Sequence, residues 1–440
     1  MSHDHVHMPT RDEILASTDR PISKTLKLAC IVFAVIGLLV FFAGVFTGSE
    51  RAWRAMLVNW LYFSTISSAG VMFVAVQRIT TARWSRSIIR LLEGYVAFLP
   101  VAFILLIIIF LGKNYIFPWT HEALHVPEKQ LYLNPLFLIP RDIIAFGIIM
   151  GLSVWYIWTT VRLDVGHSPE AGANWAKGLR ERMRRGFQDE RREIHSTHSL
   201  QGKLAVLLGF AFAFGWIVLS WDLSMSLDLH FQSTMYGWWV FMGGWVAALA
   251  SFTLLTLAWR RYLDQYDLIT DKHFHDLGKL CFAFSAFWGY LTFGQYLVIW
   301  YGNLGEETHW ARLRLIHPWL GLTLTTVTLM FVLPFFGLMS RAAKLFLPTL
   351  VLFTSSTVVG LWVHRYLEVY PSLYYKAVEA PMGLWEIGIT MGYLGAWGLC
   401  YIAFMDAFPR MRVTLMTSPY RDEVQVPVNP KTMEPLPAHE

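Results

Sequence analysis

Grouped cysteines are what this 440-residue chain most plainly lacks. Its three, Cys30, Cys281 and Cys400, stand alone in separate apolar stretches. Iron–sulfur and zinc sites need clustered thiolates, so the spacing provides for neither. Paired histidines at mid-depth, which a haem held between helices would need, are missing too: the histidines in the apolar stretches, His317 and His364, lie near their outer ends. There is no Walker A loop and no glycine fingerprint in a strand-to-helix context, which excludes an ATP-driven pump. Charge is scarce, at 15% against about 25% in soluble domains. Apolar–polar alternation is absent from the apolar runs, which argues against strands. No cleavable signal is visible, because residues 1–23 are polar and the first apolar run is long enough to be a retained anchor.

Long hydrophobic runs are what the chain has instead. The composition is 55% hydrophobic and 16% aromatic, with a mean hydropathy of +0.43. A helix needs roughly 20 residues to cross about 30 Å of hydrocarbon. Stretches of that order lie near 25–48, 55–77, 88–112, 141–163, 203–222, 233–259, 276–301, 313–339, 345–368 and 382–406. The expected fold is therefore all-α and polytopic, with ten transmembrane helices over residues 24–408, a polar tail at 1–23 and an extended tail at 409–440. Only helices and closed barrels satisfy their backbone in lipid.

Positive charge sets the expected orientation. With both termini inside, Lys and Arg favour the inner loops by about three to one. The basic loop 164–202 dominates, and GLRERMRRGFQDERRE within it reads as a short amphipathic or solvated helix, serving as a topology signal that touches anionic lipid or as a docking site for a soluble partner. The net charge of +5 and pI near 9.0 arise largely from these loops, so they give no sign of nucleic acid. The expected location is a bacterial inner membrane with cytoplasmic termini. His3, His5 and His7 read as part of a flexible polar tail.

Polar groups inside the spans carry the functional reading, since each is expensive in hydrocarbon. Arg90 and Glu93 are three residues apart on the third span and can pair. Asp222, Asp228 and His230 cluster between the fifth and sixth spans at the outer surface. Gly237, Gly243 and Gly244 in the sixth span allow close helix packing. The seventh span opens with His273, His275, Asp276 and Lys279, carries Gln295 and Tyr296 two-thirds of the way across, and ends at Tyr301, Asn303, Glu306 and Glu307. Asp276 and Lys279 share a face and can pair. His364, Arg365 and Glu368 are expected to end the ninth span outside, and Glu386 lies just inside the tenth. The candidate proton path therefore runs from Asp276 and Lys279, past Gln295 and Tyr296, to Tyr301 and Glu306. Glu93 and Thr292 are expected to bridge its gaps. Ordinary interhelical hydrogen bonding is the competing explanation.

The strings WDLSMSLDLHFQSTMYGWWVF, HDLGKLCFAFSAFWGYLTFGQYLVIWYGNLGEE and LPFFGLMSRAAK, with NWLYFSTISSAGVMFVAVQRITTARWSRSIIRLLEG before them, closely resemble the NrfD/PsrC-like integral membrane family. Within it they are most similar to the F-type subunits of bacterial alternative complex III, a quinol:cytochrome c (or high-potential acceptor) oxidoreductase. The resemblance runs from about residue 50 to 410. It implies two four-helix bundles, spans two to five and six to nine, although the halves show no obvious repeat. It also implies partners: a homologous C-type membrane protein of similar fold, a B-type iron–sulfur protein, A-type and E-type haem c proteins, and a small D-type membrane protein. Haems and iron–sulfur clusters would sit on those partners. This chain would contribute a proton pathway and structural support without a metal-ligated cofactor of its own, and quinone or quinol binding by it is left open.

Three readings follow from the sequence. One is a proton-handling part of a redox complex, one a structural scaffold for partner subunits, and one a stand-alone secondary transporter. The last is disfavoured because inverted-repeat transporters show broken helices at corresponding positions of the two halves, and no such pair is visible.

Overall fold

A computed structural model describes residues 10–121 and 127–424. Among these residues no strand occurs, and ten helices are long and apolar enough to cross a membrane. They are α1 (Lys24–Phe46), α2 (Glu50–Ile79), α3 (Ile89–Leu111), α4 (Pro135–His167) and α5 (Glu190–Leu223). The remaining five are α6 (Tyr236–Leu263), α7 (Asp271–Gly302), α8 (Leu320–Gly337), α9 (Leu347–Leu373) and α10 (Leu384–Ala407). The protein is an all-α polytopic membrane protein. An even number of crossings brings both ends to one side, here the termini face, and the opposite side is the distal face.

Helices α2 to α5 pack on one another, as do α6 to α9, and the two bundles meet where α2 touches α6 and α9 and where α5 touches α6. Burial ranks the helices. The most apolar window of α2 is 100% buried and that of α6 83%, whereas the α1 window is only 11% buried. Helix α2 thus forms the axis of the molecule. Helix α1 lies outside, held to α10 by small residues: a Cβ on Gly37 would stand 2.1 Å from the Gly392 Cα, and one on Gly395 2.4 Å from the Ala34 nitrogen. Without a hydrophobic force between helices in lipid, such backbone proximity is what dispersion needs to hold them. Close packing also holds at the sixth-span glycines, since a Cβ on Gly237 would meet Ile217 at 2.8 Å and one on Gly244 would meet Thr65 at 2.6 Å.

Two helices are interrupted at prolines. Pro100 has no N–H for the carbonyl a turn earlier, and α3 tightens into a 3₁₀ turn over Gly94–Phe98. Pro334 follows a π turn at Thr328–Val332 in α8. The eighth span is shorter than the expected 313–339, because a separate helix, Gly305–Leu315, precedes it.

The tails and the basic loop also differ from expectation. Short helices cover Arg11–Thr18 and Val413–Thr417, both against the termini face. Ile14 is buried, Arg410 donates to the Thr18 carbonyl at 2.7 Å, and Arg11 pairs with Glu170. Apolar anchors and charge partners at the helix ends draw both segments onto the body. The basic stretch divides into a helix, Lys177–Arg184, and the first turns of α5. His3, His5 and His7 and the end of the C-terminal tail lie outside the described residues.

Candidate functional site

Three groups of buried charge organise the interior. The first lies near the termini face. Arg90 pairs with Glu93 as expected, and both side chains are fully buried. The pair is half of a quartet: Arg90 also binds Asp164 on α4, and Arg412 reaches back from beyond α10 to Glu93, its Nε 2.6 Å from Oε1. The Thr414 N–H donates to Asp164 at 2.8 Å. Burial works to lower the Arg412 pKa, but the Glu93 carboxylate beside it leaves it above the ordinary value. Two guanidinium groups face two carboxylates, so the quartet is charge-balanced. It therefore does not require the loss of a proton on burial.

The second group is distal. Arg141 on α4 donates to Asp222 at the end of α5 at 2.8 Å, and the carboxyl of Asp142 lies against that of Asp222. Both aspartates are fully buried. The expected cluster of Asp222 with Asp228 and His230 does not form. Asp228 instead accepts the backbone N–H groups of His230 and Phe231 at 3.2 and 3.3 Å, an Asx turn in the connection, and His230 is exposed. Helix α5 ends at Leu223, so Asp222 belongs to the helix and Asp228 to the connection that follows.

The third group is the most enclosed. His364, Arg365 and Glu368 do not end the ninth span. Helix α9 continues to Leu373, about 14 Å beyond His364 at the helical rise, and all three side chains are buried. Arg365 donates to Glu368 at 2.5 Å, to the Val240 carbonyl of α6 at 2.7 Å and to Thr65 of α2 at 3.3 Å. The Ser224 hydroxyl stands 3.5 Å from the other Glu368 oxygen and 2.5 Å from the Tyr236 hydroxyl. His364 Nδ1 lies 3.3 Å from Glu368, and Trp239 and Trp288 wall the imidazole with edge-on rings at 4.2 and 5.3 Å. Arg314, from the helix before α8, donates to the Leu367 and Glu368 carbonyls and stacks on Trp310 at 3.8 Å. Burial pulls its pKa down to about 10.

Neither family models nor curated proteins match the chain. The site therefore rests on its own geometry.

Most of the expected seventh-span path faces outward. Asp276 and Lys279 do pair, at 2.7 Å, but their side chains are 30% and 54% exposed, so the pair is not buried. Tyr296 and Tyr301 are 44% and 84% exposed, and Glu306 is exposed. A helix turns 100° per residue, so a row chosen by sequence proximity cannot stay on the packed face. Gln295 alone points inward, 5% exposed. The expected bridges are engaged elsewhere: Thr292 accepts from the Trp239 indole at 2.8 Å, and Glu93 belongs to the quartet. His273 caps the start of α7, accepting the Thr270 N–H at 3.0 Å and contacting the Ser87 hydroxyl at 3.0 Å. Glu386 is buried in a bidentate pair with Arg51 of α2, at 2.7 and 3.0 Å, and accepts from Tyr370 at 2.8 Å. That ties the start of α10 to its neighbours.

Sequence reasoning missed Thr65, Ser68, Asp142, Asp164 and Arg412 as site members. A signal existed for the first two. STISS at 64–68 places four hydroxyls in one turn and a half of an otherwise apolar helix. In the structure Thr65 meets Arg365, and Ser68 accepts the Trp216 indole N–H at 2.9 Å. Further along α2, Gln77 accepts from Ser85 at 2.9 Å and opens onto a cavity at the termini face. Among the described residues no group of three or more His, Cys, Asp or Glu is placed to hold a metal ion.

Proposed function

We propose that this chain is a membrane subunit that moves protons across part of the bilayer within a quinol-oxidising electron-transfer assembly, where it also anchors partner subunits. The observation that carries the reading is the buried His364–Arg365–Glu368 group, whose guanidinium donates to the Thr65 hydroxyl of α2 at 3.3 Å. Acid, base and fixed cation meet there away from either face, a costly arrangement whose default explanation is proton handling. From the distal side, Arg141 pairs with Asp222 while the Asp142 carboxyl lies against Asp222 with no cation of its own among the described residues, and two carboxyls beside one cation leave room for one proton. Ser224 follows two residues after Asp222 and stands against Glu368. Thr65 and Ser68 then lead along α2 toward Gln77. From Ser68 to Gln77 the helix rises about 14 Å, past Val71, Met72, Phe73 and Val74. That apolar stretch is the barrier that keeps the two sides from leaking into one another, and water or a change of packing must bridge it when a proton passes.

The bias of Lys and Arg toward the termini face supports a cytoplasmic location for both ends in a bacterial inner membrane. The redox assignment draws on the long strings that resemble alternative complex III. On that reading haems belong to the A-type and E-type partners and iron–sulfur clusters to the B-type partner, while the C-type and D-type proteins are membrane neighbours. Quinone binding by this chain is not part of the proposal, because aromatic rings close His364 in.

A purely structural role is favoured by the Arg51–Glu386–Tyr370 contact and the balanced quartet, which cross-link helices without needing a proton. One experiment separates the two readings. In vesicles containing the intact assembly, Glu368→Gln and Thr65→Val lower the number of protons moved per electron while quinol oxidation continues, and Asp276→Asn does not. An unchanged ratio in all three variants leaves the scaffold as the better reading.

A further inference from the structure

Two arginines in the cavity at the termini face, Arg78 and Arg83, meet no carboxylate among the described residues. The cavity measures about 210 Å³, many times what one water needs, and lies where α2, α4, α5, the 80–88 connection and the segment after α10 converge. Its charged lining is Arg78, Arg83, Arg86, Asp164 and Arg412, with His198 beside them. Asp164 and Arg412 are already committed to the balanced quartet. Arg78 spends its Nη2 on His198, a neutral contact with Nδ1 at 3.2 Å and the carbonyl at 3.0 Å, and neither Arg78 nor Arg83 forms an ion pair with a described residue. The Thr414 hydroxyl, in a residue only 2% exposed, lines the same space and has no hydrogen-bond partner among the described residues. Thr81, also in the lining, is held at φ 50°, a conformation a β-branched residue avoids unless its surroundings impose it.

We infer that this cavity binds a phosphate group, held by Arg78 and Arg83 with the Thr414 hydroxyl as a further donor. Guanidinium groups present forked N–H donors that match phosphate oxygens, and a partly enclosed site strengthens each contact. Leu163 and Leu415 in the lining give an apolar wall beside the cationic one, which suits the glycerol end of an anionic phospholipid. A free phosphate shares the recognised chemistry. The site shares the cavity and Gln77 with the end of the proton route proposed above, but neither Arg78 nor Arg83 takes part in that route, so loss of phosphate binding and loss of proton transfer are distinguishable.

The test uses the purified full-length chain in its native assembly, in neutral detergent. The probes are phosphatidylglycerol, phosphatidylcholine and inorganic phosphate, read by retained lipid in native mass spectrometry and by the midpoint of thermal unfolding. Phosphatidylglycerol is expected to be retained and to raise the midpoint, with phosphatidylcholine doing neither. Arg83→Gln, at a half-buried position without an ion pair, is expected to fold with an unchanged midpoint when no probe is added. Its affinity for phosphatidylglycerol should fall about tenfold, the loss of one charge-assisted contact, and Arg83→Lys should restore part of it. A response to inorganic phosphate alone assigns the site to a soluble phosphate, and a response to the lipid alone assigns it to a headgroup. Equal response to both lipids, or affinities unchanged in Arg83→Gln and Arg78→Gln, overturns the assignment.

Discussion

Arg365 on α9 donates to Thr65 on α2 at 3.3 Å, and through this contact the buried charge of one bundle reaches the hydroxyl row of the other. The same guanidinium binds Glu368 and the Val240 carbonyl, so one side chain holds α2, α6 and α9 in register. Gly244 makes the approach possible, since any Cβ there would collide with Thr65.

Removing one partner of this pair should be far worse than removing both. Arg365→Leu leaves Glu368 as an uncompensated buried charge and is expected to cost about 3–5 kcal/mol, whereas the double variant with Glu368→Leu should recover most of that loss. Thermal unfolding of the two variants in detergent measures the difference. Equal losses would mean that the pair contributes no mutual compensation.

The half-exposed Asp276–Lys279 pair should behave in the opposite way. Pairs that water can reach are worth about 0–1 kcal/mol, so Asp276→Asn, Lys279→Met and the combination should all unfold within a few degrees of the parent. A loss of several kcal/mol in either single variant would show that the pair is covered by a neighbouring protein in the assembly.

Gly392→Leu should loosen α1 from α10. A Cβ at that position would stand 2.6 Å from the Gly37 Cα, and neither backbone can yield without separating the helices. Overpacking of this kind costs about 1–3 kcal/mol. Gly321→Ala, where nothing lies within 4 Å of the added carbon, is the control and should lose nothing. Cross-linking between cysteines placed on α1 and α10 would report the separation, and retained cross-linking in Gly392→Leu would refute it.

Acid should undock the segment that follows α10. His195 and Arg191 donate to Glu423 at 2.7 and 2.8 Å, and these hydrogen bonds hold its carboxyl below the usual range. With a depressed folded-state pKa, the contribution to docking is complete above the unfolded value and is lost as pH falls through the folded one. Amide protection over residues 413–424, corrected for intrinsic exchange, is therefore expected to be steady near neutral pH and to drop only in acid below the usual glutamate range. Glu423→Gln should show the reduced protection at every pH.

Much of the architecture was legible because the bilayer leaves a chain few options. Ten apolar runs gave ten helices with ends within several residues of those expected, the largest shifts falling where a polar helix extends an apolar one, as at the start of α5. The Arg90–Glu93 and Asp276–Lys279 pairs were legible as well, since a spacing of three residues determines proximity within a helix. Their burial was not. One pair is sealed in the quartet and the other looks outward, and nothing three residues apart distinguishes them.

Sequence alone determined that this protein spans a membrane as helices, because only a helix satisfies every backbone group of an apolar run in hydrocarbon. It also determined where polar atoms would be costly. Which of those atoms meet was decided only by the tertiary structure. Glu93 and Arg412 are 319 positions apart, and Thr65 and Arg365 are 300 apart. Their proximity depends on how bundles rotate and press together, at glycines such as Gly244, and helical periodicity says nothing of the rotation between one helix and the next.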